Sequence, residues 1–287
     1  MVEVHNSPAD GYTARMIVER SGQVLLHTPI IEQGAGMLTA FRLLTAEGFG
    51  LEPREVQVEQ TMEDFDYDRG VGGSRITRIV GKMIGILSQR LRTRLAELVA
   101  GEFGYDLEAV AVEAGGFRTP DGRFHSLADA ASLAEGDLAE LLKYEVDPAD
   151  SVETYAAIAS EVEVDRETGG VQVRRVAMGL ETGRVVNSIM YQGQIDGGLT
   201  QGLGYALMEG IEFDEGRVTK LNLHEYKLPT IQDIPPLETI LLPPDLSLGI
   251  TPIGEGPNCA MAPSIVNAIV DVVGRQIDIP VAPEALV

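Results

Sequence analysis

One cysteine, Cys259, is all the chain carries in 287 residues. That excludes an internal disulfide framework, and an iron–sulfur cluster as well, since a cluster needs several thiolate ligands. The four histidines (His5, His27, His125 and His224) are scattered without ligand spacing, so no protein-ligated zinc or iron site is expected. Positive charge is scarce: 22 Lys and Arg stand against 44 Asp and Glu, a formal net charge of −22. Duplex nucleic acid and anionic membranes are not expected as partners, because a polyanion gains nothing by neutralising phosphates. The charge itself serves solubility. No stretch approaches the ~18 uninterrupted apolar residues of a membrane span. The N-terminus, Met1-Val2-Glu3-Val4-His5, shows no basic region followed by an apolar run. No signal peptide is visible there, and a cytoplasmic protein is expected.

What is present suits a globular fold. Apolar residues make up 44% of the chain, an ordinary share for a soluble domain. Residues 12–19 and 23–31 read as a hairpin turning at Ser21-Gly22. Helical spacing follows over 37–47 (Met37, Phe41, Leu44), with a stop at Gly48. The longest helix is expected over 80–99, with Ile84, Leu87, Leu91, Leu95 and Leu98 on one face. Residues 107–113 read as a strand. A second hairpin joins 154–164 to 171–178, and a third spans 212–221 around Asp214-Glu215-Gly216. Further helices are expected from Gly197 to about 209, and over 263–273 with Pro263 in the first turn. The only candidate linker is Asp147-Pro148-Ala149-Asp150-Ser151. The chain is therefore read as one domain, 1–287, of two lobes dividing near 147–152, with no internal repeat. Hairpins outnumber parallel crossovers, which gives an α+β class with mixed, largely antiparallel sheets and packed helices.

Four glycine clusters carry the chemistry. Gly34-Ala35-Gly36 follows a strand and opens a helix, but Thr39 stands where the dinucleotide fingerprint needs its third glycine. The phosphate loop fails too, since Met83 follows Gly81-Lys82. A nucleotide fold of either kind is thereby disfavoured. In Gly70-Val71-Gly72-Gly73-Ser74-Arg75-Ile76-Thr77, a hydroxyl and a guanidinium stand beside backbone donors that can form an anion-binding concavity. Gln194, next to Gly193, can donate and accept just before the expected helix N-terminus. Gly254-Glu255-Gly256-Pro257 places a lone carboxylate between two glycines, where the backbone is permissive and a bulky ligand can approach. Shielded from water beside an anionic cofactor, Glu255 has the setting of a general base. Cys259, close behind, is expected to be a buried structural thiol.

In this order the motifs resemble the C-terminal half of the molybdopterin-binding subunit of the xanthine oxidase family, the molybdenum hydroxylases. The likeness runs nearly end to end. Residues 34–39 resemble the family's GQG-x-x-T loop and 70–77 its segment ending GSR-x-T. Glu161-Val162-Glu163-Val164-Asp165, followed by Thr168-Gly169, resembles VEVD-x-x-TG. Residues 193–204 resemble GQ-x-x-GG-x-x-QG-x-G, Tyr226-Lys227-Leu228-Pro229-Thr230 resembles YK-x-P-T, and Gly254-Glu255 matches the pair with the catalytic glutamate.

The resemblance implies a molybdenum–molybdopterin cofactor, in bacteria usually the cytosine dinucleotide form, whose metal is held by the pterin dithiolene with no direct protein ligand. By similarity Glu255 takes a proton from a hydroxyl on the metal during hydroxylation of a heteroaromatic or aldehyde carbon, with hydride passing to a sulfido or selenido ligand. Gly193 and Gln194 would contact an oxo ligand or the pterin, and Gly72, Gly73, Ser74 and Arg75 would line the cofactor near the metal. Gly34, Ala35 and Gly36 would lie against the pterin, and Gly254 presents the base. Ala35 departs from the family's glutamine and removes one donor. Ser188 stands for a common proline, Glu181 for an aspartate, and Gln60 for the aspartate of an Asp-Thr pair.

The family's N-terminal half, with its GG-x-F-G-x-K loop, is absent, as are modules for two 2Fe–2S clusters and FAD. A split enzyme is implied. Partner subunits would then supply the other half of the site, the 2Fe–2S clusters and the FAD. A non-catalytic scaffold of the same fold is the alternative.

Overall fold

The computed structural model describes residues 2–4, 11–63, 65, 70–145 and 152–287. The chain forms two compact units, His5–Ser151 and Met1–Val4 with Val152–Val287. The expected linker at 147–151 lies outside the described residues.

In chain order the elements begin with β1 (Val2–Val4), β2 (Tyr12–Val18), β3 (Val24–Thr28), α1 (Met37–Phe49), β4 (Val56–Gln60) and α2 (Ile76–Phe103). Next come β5 (Ala111–Glu113), β6 (Gly116–Arg118), β7 (Phe124–Ser126), α3 (Leu127–Ser132) and β8 (Leu138–Tyr144). The second unit continues with β9 (Glu153–Val164), β10 (Val171–Leu180), α4 (Ser188–Leu207), β11 (Phe213–Asp214) and β12 (Arg217–Val218). It ends with α5 (Leu223–Tyr226), β13 (Leu237–Leu241) and α6 (Gly256–Val273).

Unit His5–Ser151 is built on a sheet ordered β4-β3-β2-β8, antiparallel except for the β3–β4 pair. Strict alternation in β2 buries Tyr12, Ala14, Met16 and Val18 on one face, the period-2 signature of a half-buried strand. The α2 helix lays Met83, Leu87, Leu91 and Leu95 against that side at spacings of four. Each of these leucines is fully buried, and removing such a side chain from water contributes roughly 1.5–3 kcal/mol.

Unit 152–287 has a sheet ordered β1-β9-β10-β13, again antiparallel except for the last pair. Its core packs Val176, Met178 and Leu180 of β10 with Ile195, Leu199 and Leu203 of α4 and Met261, Ile265 and Ile269 of α6. The α+β reading with mainly antiparallel sheets is the observed architecture.

Both units follow one plan: a hairpin, a helix, a strand parallel to the second hairpin strand, then a second helix. It is β2-β3-α1-β4-α2 in one and β9-β10-α4-β13-α6 in the other. The outer strands are exchanged, since β8 directly precedes β9 yet pairs with β2, while β1 precedes β2 yet pairs with β9. The sequence pattern shows no repeat, yet the two units share a topology. It is carried by sheet order, which no fixed sequence period reports.

Several boundaries also differ from expectation. Helix α1 runs through Gly48 and ends at Gly50, whose left-handed backbone caps it. The stretch 107–113 opens with a 3-10 turn before β5. Helix α6 begins seven residues before Pro263, with Pro257 in its first turn and Pro263 inside. Among the described residues no helix is long and apolar enough to cross a membrane.

Candidate functional site

Helix α4 starts at Ser188, capped by Asn187, whose side-chain oxygen accepts the Met190 N–H at 3.2 Å. The expected start after Gly197 is therefore corrected: Gly193 and Gln194 lie inside the helix, one turn in, rather than at its N-terminus. The glycines hid this, because each costs about 1 kcal/mol of helix propensity. They divide by face. A side chain at Gly198 would start 2.8 Å from the Pro257 Cβ, and one at Gly202 would start 2.5 Å from the Met261 Cβ. Here α4 and α6 pack backbone to backbone. At Gly193 and Gly197 nothing lies within 4 Å, which leaves a strip of bare helix beside Gln194.

Glu255 is the N-cap residue of α6, although its side chain makes no capping hydrogen bond to that helix. The pinch at Gly198 and Gly202 fixes the first turn of α6, and the Asn258 side-chain amide donates to Gln201 Oε1 at 2.9 Å. Gly193 and Gln194 thus stand on one of two helices locked to one another, and Gly254 and Glu255 lead into the other. Three expectations are corrected here. Neither Gly254 nor Gly256 takes a left-handed backbone; Gly256 is simply the buried first residue of α6. Glu255 is exposed, so the chain itself does not shield it from water. Cys259 is exposed as well, not buried, because it falls on the face of α6 turned away from Met261 and Ile265.

Sequence reasoning missed Tyr191. Its hydroxyl is buried without a well-formed hydrogen bond. Burial pushes the phenol up to about 12, a nearby Thr251 hydroxyl working weakly the other way. Gln192 was also missed. It bridges Asp196 Oδ1 at 2.8 Å and Thr239 Oγ1 at 2.9 Å, tying α4 to β13.

In the other unit the remaining site residues sit at helix N-termini. Gly34 and Gly36, both left-handed, flank Ala35 at the start of α1. The Glu32 carboxylate accepts the N–H groups of Gly34 at 2.8 Å, Gly36 at 2.9 Å and Leu38 at 3.2 Å. Partial burial works to raise its pKa, but the backbone donors of Leu38, Gly36, Gly34 and Ala35 outweigh that and hold it below the usual carboxylate range. The loop is an anion-binding turn that its own chain fills. Its signal was legible as an acid two residues before Gly-x-Gly at a helix start.

Gly72, Gly73 and Ser74 lead into α2, and Arg75 is its N-cap residue. Gly70, Gly73 and Ser74 are all left-handed, a conformation that costs a non-glycine residue of order 1 kcal/mol. Arg75 Nε donates to the Tyr12 hydroxyl at 2.6 Å, and its guanidinium lies 5.8 Å from the centre of that buried ring. Tyr12, unnoticed in the sequence, therefore anchors this loop. No atom lies within 4 Å of a side chain built at Gly34, Gly70 or Gly72.

A molybdopterin is bulky and rich in heteroatoms. Each unit by itself offers donors of the kind it takes beside open glycines, an amide in one and a hydroxyl and a guanidinium in the other, and the bare strip at Gly193 and Gly197 admits close approach. The residues fit the group.

The comparisons agree. The chain is 27% identical over 291 residues to the molybdenum-binding polypeptide of the Escherichia coli K12 aldehyde oxidoreductase, covering 95% of this chain and 38% of that protein. It is 26% identical over 269 residues to the carbon monoxide dehydrogenase large chain of Hydrogenophaga pseudoflava, covering 88% and 33%. The chain thus spans between a third and two fifths of these relatives. Quinoline 2-oxidoreductase from Pseudomonas putida 86 shares the fold at a TM-score of 0.88 and 21% identity, over 100% of this chain and 40% of its own. Residues 2–235 match the molybdopterin cofactor-binding domain, and the chain belongs to that family, as found in the molybdenum-binding subunits of xanthine oxidase-type enzymes.

Proposed function

We propose that this chain is the base-carrying part of a multi-subunit cytoplasmic molybdenum hydroxylase that oxidises an electron-poor carbon, heteroaromatic or aldehyde. What supports the reading most is the locked pair of helices: Glu255 stands at the start of α6, whose Pro257 packs on Gly198, one turn of α4 beyond Gln194. The cofactor, in cytosine dinucleotide form, supplies two-electron redox chemistry when bound. Glu255 accepts the proton released as the carbon–oxygen bond forms. The Gln194 amide orients the cofactor by hydrogen bonding, and Gly193 admits it. Ser74 and Arg75 supply further donors, with Arg75 held by Tyr12. Because Glu255 is exposed in this chain, a second polypeptide excludes water from it and completes the enclosure. Separate 2Fe–2S and FAD subunits carry the electrons away.

The filling of the Gly34–Gly36 donors by Glu32 favours one rival, a scaffold that keeps the fold without turnover. Glu255→Gln in the natively purified complex separates the two. A catalytic subunit loses at least ~10²-fold in kcat and keeps its molybdenum, measured by metal analysis together with nucleotide identification. Unchanged turnover would establish the scaffold.

A further inference from the structure

The two units share a plan, and one connection within it differs greatly. Between α1 and β4 the chain needs only residues 50–55; between α4 and β13 it uses 208–236. That longer stretch contains a ribbon of two-residue strands and a single turn of helix, and Pro235 is its only buried residue. A two-stranded ribbon and a four-residue helix do not hold themselves in water. Its side-chain contacts are largely its own, the Tyr226 hydroxyl donating to Glu209 at 2.8 Å and Lys220 pairing with Glu212 at 2.9 Å. It meets the rest of its unit where Glu209 and Pro229 close on Gly204 of α4 and where the Pro236 carbonyl accepts the Val176 N–H at 3.0 Å. Its apolar side chains face outward instead, among them Ile211, Phe213, Leu221, Leu223, Leu228 and Ile231, with Leu221 81% and Ile231 88% exposed. Such a concentration on an inserted segment marks an interaction surface.

We infer that residues 208–236 form an arm that docks the polypeptide supplying the remainder of the molybdenum-binding subunit. The inference rests on the hydroxylase reading for the identity of that partner. More than half the length of each relative has no counterpart in this chain, and on the hydroxylase reading that remainder is the body to be seated. Charge argues against a second copy. Residues 208–236 carry six carboxylates against three bases, Arg217, Lys220 and Lys227. The matching face is therefore apolar with a basic rim, whereas a second copy brings the same acids and a net charge of −22.

The test uses the full chain and the natively purified complex, whose subunits are identified by mass. Trypsin should cut after Arg217, Lys220 and Lys227 in the chain alone and at least tenfold more slowly in the complex. The double variant Leu221→Glu/Ile231→Glu should leave the melting temperature of the chain alone unchanged, since neither side chain is in its core, and should lower complex yield at least tenfold. Equal cleavage rates, normal assembly of the variant, or a chain that purifies without any such polypeptide overturns the arm. So does a homodimer of the chain that the variant makes monomeric. A complex that assembles through the arm yet holds no molybdenum sinks the hydroxylase reading and leaves the arm standing. Assembly that ignores the variant, with molybdenum present and Glu255→Gln inactive, does the reverse.

Discussion

Alanine at Gly202 and alanine at Gly197 should move stability in opposite directions, although the two positions lie on the same helix. At Gly202 the new Cβ would start 2.5 Å from the Met261 Cβ and 2.7 Å from the Asn258 carbonyl oxygen. Carbon atoms rest at about 3.5–4 Å, so α4 and α6 must part by roughly 1 Å. Overpacking costs about 1–3 kcal/mol. Contacts this short against a Cβ and a backbone oxygen belong to the upper part, about 2–3 kcal/mol, offset by the ~1 kcal/mol that alanine gains over glycine in a helix. The net expectation for Gly202→Ala is a loss of roughly 1–2 kcal/mol. At Gly197 nothing lies within 4 Å, so the propensity gain stands alone. Calorimetry of the chain should show the melting transition of this unit falling by ~3–6 °C for Gly202→Ala and rising by ~1–3 °C for Gly197→Ala. Hydrogen exchange in α4 and α6 should localise the first effect. In the assembled complex the order of cause continues, since Glu255 caps the helix that Gly202 holds. A displacement of ~1 Å at a catalytic group costs up to ~10²-fold in rate, so Gly202→Ala should lower kcat more than its stability loss explains. If Gly202→Ala is as stable as the parent, or Gly197→Ala is equally destabilised, the helix pinch is not what positions Glu255.

Tyr191→Phe should be neutral or stabilising by up to ~1 kcal/mol in urea titration, because it removes a buried hydroxyl without a good partner; a loss above ~2 kcal/mol would show that Thr251 holds it. The phenol pushed up to about 12 binds its proton more tightly in the folded state. Its contribution is present below pH 10 and disappears as pH rises toward 12, a slope the phenylalanine variant should lack. Glu32→Ala should cost about 1 kcal/mol, the worth of a helix-start cap, and leave the turn at Gly34 open to anions. With its pKa held low in the fold, the Glu32 contribution is present at neutral pH and lost as pH falls through the folded-state value. A parent and variant that titrate identically below pH 5 would contradict this.

The parts of the fold legible in the sequence are those where one residue's neighbours along the chain are also its neighbours in space. The hairpin at Ser21-Gly22 and the long face of α2 belong here. So does the turn after Asp165, whose carboxylate accepts the Glu167 N–H at 2.8 Å. What escaped was set by distant partners. Strand β8 and the exchange of β1 and β8 depend on pairing across more than a hundred residues. The early start of α4 escaped because glycines that weaken a helix locally are the ones a second helix requires. The site divides in the same way. The candidates Glu255, Gln194 and the loops at Gly34 and Gly72 stand out by their glycine neighbours in the sequence. Tyr12 and Glu32, by contrast, are ordinary residues until the fold brings them to the loops they support, and Tyr191 until burial isolates its hydroxyl. Glu32 is the consequential case. A turn whose donors already hold a carboxylate binds a cofactor anion only by displacing it, so the affinity of that loop is a difference between two anions competing for one set of N–H groups. Neutralising Glu32 should therefore tighten anion binding there even as it weakens the start of α1. Only a turn that is both structural cap and binding loop couples the two effects in opposite senses.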